Sequence, residues 1–206
     1  MKLLSIFLLA GAVLSAAPVS TQVTLVNAGN PTNLIDDGYY ISPYTLLVNG
    51  QNLPALCIDF NDDSYVGTSW QANITSVASK NFSLTYHASD ANVAKEYEEE
   101  AYLYTLITQP NISSQNRIDI QDAVWTITDS SYVPDSGAQT WLTAANNNYA
   151  SVNLSGFEIV SSLPGCTKQQ EYMICPTPEP ASLALLGAGL LLVGITARRR
   201  KQAVTA

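Results

Sequence analysis

Two side chains in this sequence are chemically suited to each other. Cys57 lies in Leu56-Cys57-Ile58-Asp59-Phe60, and Gln121 lies in Ile120-Gln121-Asp122-Ala123-Val124-Trp125. If the Cys57 sulfur attacks the Gln121 side-chain carbonyl, ammonia leaves and an internal thioester remains. An amide is a poor acyl donor and a thioester is an activated one. An amine on a partner could then displace the Cys57 thiolate and leave an amide bond. That is nucleophilic acyl transfer with the protein itself as the acyl donor, a single-turnover reagent and not an enzyme. Asp59, two residues from the sulfur, is a candidate for handling protons. Trp125, Trp70 and Tyr104 are candidates for shielding the bond, because excluding water protects a reactive acyl group. The competing reading makes Cys57 a buried thiol that packs as a small hydrophobe in a structural protein.

These groups need a strand and a helix to hold them. Leu56, Ile58 and Phe60 fall on one face of a strand, which turns Cys57 and Asp59 to the other. The first third of the chain reads as strands, with Tyr39–Ile41, Tyr44–Val48, Leu53–Phe60 and Val66–Ile74 as candidates and Asn49-Gly50 as a hairpin turn. Alternating Phe82, Leu84 and Tyr86 predict another half-buried strand. The period then changes: Val93, Tyr97, Ala101, Tyr104 and Thr108 recur at helical spacing until Pro110, with Glu98-Glu99-Glu100 as the solvated face. A second helix follows, capped by Asn116, with Ile120, Ala123, Val124 and Ile127 as its apolar face. Gln121 and Trp125 are one turn apart and share a side. Trp141 and Leu142 add one more turn, and Val152–Ser162 returns to strand. The order predicts an α+β domain, an antiparallel β-sandwich or barrel with a two-helix insertion.

Together, Leu56-Cys57-Ile58 and Ile120-Gln121-Asp122-Ala123-Val124-Trp125 resemble the thioester domains of bacterial surface adhesins. There a strand Cys and a Gln on a later helix, followed by Ala-aliphatic-Trp, form the bond. The resemblance runs from about Tyr39 to Trp141. It implies covalent attachment to an unidentified nucleophile at a cell surface or in an extracellular matrix.

Both ends of the chain read as addresses. Residues 1–20 combine Lys2, an apolar stretch and the small residues Ser15, Ala16 and Ala17, the pattern of a signal peptide cut by signal peptidase. Residues 21–176 form the exported domain. Pro178-Glu179-Pro180 precedes an uncharged apolar run, residues 181–197, about 26 Å long as a helix and sufficient for a thin bilayer. Arg198, Arg199, Arg200 and Lys201 hold its end on the cytoplasmic side, with residues 202–206 as a tail. Residues 177–201 resemble the PEP-CTERM sorting signal of Gram-negative, exopolysaccharide-producing bacteria. The resemblance implies an exosortase as partner, an inner-membrane anchor through the C-terminal transmembrane helix, and later delivery to the cell surface or matrix.

Composition excludes other classes. The chain has a formal net charge of −8, and the exported part holds sixteen acids against Lys80, Lys95, Arg117 and Lys168. Nucleic-acid binding needs clustered cations and is excluded. One His and three Cys rule out a multi-histidine or four-cysteine metal site, and no cofactor or metal is expected. Export places the cysteines in a disulfide-permissive compartment. Sequence permits all three pairings, and Cys166–Cys175, bracketing a small hairpin, is the expected one. Cys57 and His87 occur in the order of a cysteine hydrolase, but no hydrolase signature surrounds Cys57.

Overall fold

The computed structural model describes residues 20–29 and 32–176. The signal segment, the Pro178-Glu179-Pro180 motif, the apolar run and the arginines lie outside the described residues. Six strands close an antiparallel barrel: β1 (Thr21–Asn27), β4 (Tyr44–Val48), β5 (Gln51–Cys57), β6 (Ser69–Ser76), β7 (Glu158–Ser162) and β8 (Tyr172–Ile174), in the spatial order β1-β4-β5-β8-β7-β6. A separate small hairpin pairs β2 (Ile35–Asp36) with β3 (Tyr39–Tyr40). Asn49 and Gly50 join β4 to β5 with φ values of 51° and 79°. Two consecutive left-handed residues match the twist of a tight hairpin, and Asn-Gly supplies them at low steric cost. Pro54, which has no N–H, faces Thr45 on β4, while pairing with β8 starts only at Ala55.

Side-chain alternation divides the interior into two cores. Val23, Leu25, Leu46, Val48, Ala55, Cys57, Trp70, Val160, Tyr172 and Ile174 point into the barrel. Leu56, Ile58, Ile159 and Met173, one residue out of phase on β5, β7 and β8, point outward and meet the helices. β8, most of β7 and the end of β5 are thus buried on both faces. The predicted phase holds at Leu56, Cys57 and Ile58. Phe60 departs from it and packs with the barrel core, because β5 ends at Cys57 and the chain turns before Phe60.

Three helices, not two, cover the outer face: α1 (Val93–Ile107), α2 (Ser114–Thr128) and α3 (Ala138–Asn148). The third was expected as a single turn. Its apolar side, Ala138, Trp141, Leu142 and Ala145, is small and interrupted, but it packs against α1 and α2. The cap of α2 is Ser113, whose hydroxyl accepts the Asn116 N–H at 3.1 Å, so Asn116 lies inside the first turn. The strand expected at Phe82–Tyr86 is instead a series of turns. The Asn81 carboxamide accepts the Ser83 N–H, and the Thr85 backbone and hydroxyl both bond to the Phe82 carbonyl. Such local bonds compete with pairing, and a closed barrel offers no free edge.

The largest correction concerns Glu98-Glu99-Glu100. Helix α1 packs against α2, α3 and the barrel, and its water-facing side is the one that carries Lys95 and Thr105, leaving Glu98, Glu99 and Glu100 on its buried sides. Glu98 and Glu99 are nearly buried and pair with Lys80 at 2.8 Å and Lys95 at 3.1 Å. Glu100 is fully buried, and neither of its carboxyl oxygens has a hydrogen-bond partner. Burial, reinforced by Glu171 and then by Glu96 and Glu99, holds its pKa well above the ordinary 4.5. Glu171 is also buried, but it accepts from the Tyr86 N–H, the Tyr97 hydroxyl and the Ser161 hydroxyl.

A raised carboxyl pKa means that the fold binds a proton the unfolded chain releases. Its stabilising contribution is complete below about pH 4.5 and declines as pH rises toward the native value. Replacing Glu100 by Met removes the buried acid while keeping an unbranched side chain. Glu100→Met is expected to be about 1–3 kcal/mol more stable than the wild type at pH 7. The gain should shrink near pH 4 in urea-unfolding curves, as its protonation-linked part is lost. An equal gain at both pH values would show that Glu100 does not titrate with folding.

Candidate functional site

The site forms where β5 ends and α2 crosses it. Ile120, Ala123 and Val124 bury one side of α2 in the outer core, as their spacing predicts. Gln121 and Trp125 therefore face the end of the barrel, and Trp125 joins the core that contains Cys57. Thr128, at the end of α2, also donates its hydroxyl to the Ile58 carbonyl at 2.8 Å.

Cys57 and Gln121 are both completely buried. The Gln121 Nε2 donates to the Cys57 carbonyl at 2.8 Å, across 64 positions of chain. Its Oε1 accepts the Ser42 N–H at 3.2 Å. The Ser42 hydroxyl in turn accepts the Cys57 N–H at 3.0 Å. Ser42 thus holds both partners, one through its amide and one through its side chain. The sequence gives no sign of this role, since Ser42 reads only as a residue before Pro43 between two strands.

The sulfur donates to the Asp59 carbonyl at 3.2 Å. Burial pushes the Cys57 pKa up to about 12, although the Asp59 backbone and the neighbouring Trp125 indole act in the other direction. Asp59 faces the sulfur with its carbonyl. Its carboxyl turns back to accept the Asn61 N–H at 2.9 Å, and the second carboxyl oxygen is buried without a partner. Burial, with Asp62 beside it, raises the Asp59 carboxyl to about 6.

The proposed shield is partly reassigned. Trp125 lies at its centre, with ring centroids 5.1 Å from Phe60, 5.5 Å from Tyr132 and 6.0 Å from Tyr39. Tyr132 is anchored by its hydroxyl on Asp122 at 2.7 Å. Trp70 shares the barrel core but packs on Tyr172, at 6.2 Å, with Tyr172 registered opposite Cys57. Tyr104 is not at the site. It lies in the outer core, with its hydroxyl on the Pro54 carbonyl and its ring against Phe157. Sequence reasoning missed Tyr39, Phe60 and Tyr132 because they come from three separate segments. A cleft of about 200 Å³ bordered by Tyr39, Tyr44, Tyr65, Gln170 and Trp125 leads from the surface to this cluster.

Cys166 and Cys175 are both free. Cys175 follows β8 beside the start of β7, where Glu158 pairs with Ile174, whereas Cys166 lies beyond the other end of β7. The length of β7 alone separates the two ends by about 13 Å, beyond the Cα reach of a disulfide. The hairpin expected between them is absent, because β8 is a barrel strand. His87 pairs with Asp90 at 3.0 Å and lies against the Tyr97 ring. Asp62 pairs with Lys168.

The solved structures to which the chain is similar include two bacterial surface-protein domains. The N-terminal thioester domain of a surface protein from Clostridium perfringens is 13% identical, with a TM-score of 0.42, covering 76% of this chain and 98% of its own. The N-terminal domain of the Streptococcus pyogenes pilus tip adhesin Cpa is 15% identical, with a TM-score of 0.46, covering 80% of this chain and 97% of its own. No curated protein matches the chain. No helix among the described residues is long and apolar enough to cross a membrane. The sorting tail is matched by a family model, which also implies exosortase processing. The chain carries a PEP-CTERM protein-sorting motif at residues 176–201, the mark of an exported, membrane-sorted protein.

Proposed function

We propose that the exported domain forms an internal thioester between Cys57 and Gln121 and uses it to attach covalently to an amine on a surface or matrix partner. The observation that carries this reading is the seating of the Gln121 carboxamide, buried and bonded at once to the Cys57 carbonyl and the Ser42 N–H. Attack by sulfur on the carboxamide carbon drives charge onto Oε1. The Ser42 N–H already donates to that oxygen and would stabilise the charge as it develops. The C–N bond then breaks, and the departing nitrogen takes up the thiol proton and leaves as ammonia. The Asp59 carbonyl holds the thiol proton in the resting state, and its carboxyl, raised to about 6 with one oxygen unengaged, would have to swing toward the sulfur to relay that proton.

In the second step an amine attacks the thioester carbonyl, the C–S bond breaks, and an amide to the partner remains. The aromatic cluster around Trp125 keeps bulk water from the acyl carbon, so the bond survives until a nucleophile enters by the tyrosine-lined cleft. The chain acts once and is consumed. The competing reading, a structural matrix or envelope protein, draws on the protonated state of the Cys57 thiol and its bond to the Asp59 carbonyl.

Intact mass separates the two. Native exported chain is expected to be lighter than its sequence by one ammonia, with Cys57 resistant to alkylation after unfolding. Methylamine should add to Gln121 and release the thiol. Cys57→Ala or Gln121→Ala should abolish both effects. Fresh native protein with a free Cys57 and an unmodified Gln121 would end the reading. Ser42→Ala leaves the buried Cys57 N–H without its acceptor. It is expected to cost about 1–3 kcal/mol in urea unfolding and to lower the fraction of chains that lack the ammonia mass. Trp125→Ala should shorten the lifetime of the thioester in buffer, read as faster appearance of a titratable thiol. An unchanged lifetime would show that Trp125 is no shield.

A further inference from the structure

The cleft beside Trp125 is bordered by a carboxamide that the chemistry above does not use. Gln170 is half-buried and lies two residues before β8. Its side chain is held at both polar ends. Nε2 donates to the Asp59 carbonyl at 3.3 Å, and Oε1 accepts the Tyr172 hydroxyl at 3.0 Å. Its backbone N–H donates to the Ser64 hydroxyl at 2.9 Å. These partners fix the orientation of the carboxamide, because the reverse one would set two acceptor oxygens against each other. The Asp59 carbonyl therefore takes two donors, which its two lone pairs allow: the Cys57 thiol at 3.2 Å and the Gln170 amide. Only the second survives in a thioester. The sulfur then carries no proton, and the lone pair that accepted it is left open beside the atom bonded to the acyl carbon.

We propose that Gln170 is a positioning residue: given the Cys57–Gln121 thioester proposed above, it holds the Asp59 carbonyl as the acceptor for an incoming primary amine and makes the site selective for amines. A neutral amine attacks the acyl carbon through its lone pair, and its nitrogen becomes positive as the new C–N bond forms. An N–H of that nitrogen donates to the Asp59 carbonyl, whose dipole stabilises the charge where it develops. The C–S bond breaks, the nitrogen gives one proton to the sulfur, and the thiol returns to the same carbonyl. A thiolate nucleophile brings no hydrogen to donate, and its negative charge meets the negative end of the carbonyl dipole. Gln170 also occupies the second lone pair. Without it that lone pair turns to water, which brings a hydrolytic nucleophile to the acyl carbon.

The test uses the full-length chain in detergent, with its thioester verified by the missing ammonia mass. Methylamine and mercaptoethanol are reacted in turn at one pH, alongside a small-molecule thioester. The amine-to-thiol rate ratio of the protein is expected to exceed that of the free thioester by roughly tenfold, the worth of one hydrogen bond to a charged group. Gln170→Met and Gln170→Glu each remove the donor, and the second keeps an acceptor for Tyr172. Each should lower the ratio of methylamide to hydrolysed carboxyl at position 121 by roughly tenfold, read by peptide mass. Loss of packing alone would change both rates together and leave this ratio in place. Melting temperature reports that the variants are folded. Where a variant does not fold or does not form the bond, the selectivity of the wild type decides. Wild-type chain without the ammonia deficit ends the thioester reading and this inference with it. A formed thioester that favours amines no more than the free one, or folded variants that partition like the wild type, overturns this inference alone.

Discussion

The carboxamide of Gln121 bonds to two stretches of backbone that the sequence keeps far apart, and the seat of α2 on the barrel follows from it. Helices covering a sheet can slide by a turn without large loss of apolar contact. A buried amide cannot, because moving it leaves its own groups and those of Cys57 and Ser42 unpaired, at about 1–3 kcal/mol for each. Cys57 accepts through its carbonyl and donates through its N–H, and Ser42 closes the circuit from the neighbouring segment. This three-residue circuit fixes the end of β5, the face of α2 and the approach of the chain before β4. The same constraint sets the Gln121 carboxamide against the backbone of the residue that carries the sulfur.

Around that circuit the protein is unusually dry for so acidic a chain. The barrel core and the outer core meet at β5, and the aromatic rings of Trp125, Phe60, Tyr132 and Tyr39 close the barrel end. Low polarity has one consequence for four of the buried or half-buried acids. The carboxyls of Asp59, Glu100, Asp122 and Glu171 are all pushed upward, with burial as the leading cause. The thiol of Cys57 is pushed the same way. An environment that disfavours ions also disfavours water, so the feature that would slow formation of the bond would preserve it once made.

Much of the fold was readable. Asn49-Gly50 named its hairpin because few residue pairs accept two positive φ angles. Leu56, Cys57 and Ile58 gave the phase of β5, and Ile120, Ala123 and Val124 gave the buried side of α2, because residues on one face of an element share one environment. The failures have a common cause. Glu98-Glu99-Glu100 reads as a solvated face because a charge run is assumed to mark the wet side, whereas the exposed side of α1 carries Lys95 and Thr105. Phe82–Tyr86 alternates like a strand, but a closed barrel has no place for a seventh. Tyr104 has helical spacing toward the core, and sequence does not distinguish one core from the other.

By itself, the sequence determined what depends on local chemistry: the acidic charge that excludes nucleic acid, the sorting motif at its end, the periods of strand and helix, and the presence of one sulfur and one carboxamide on elements able to present them. Tertiary structure alone decided which groups meet. Ser42 became part of the site because the chain before β4 passes beside β5. Cys166 and Cys175 were kept apart because β7 runs its full length between them. Proximity across dozens of residues is set by how elements pack and in what order strands pair. Those choices depend on the summed burial of many side chains, and no short stretch of sequence encodes them.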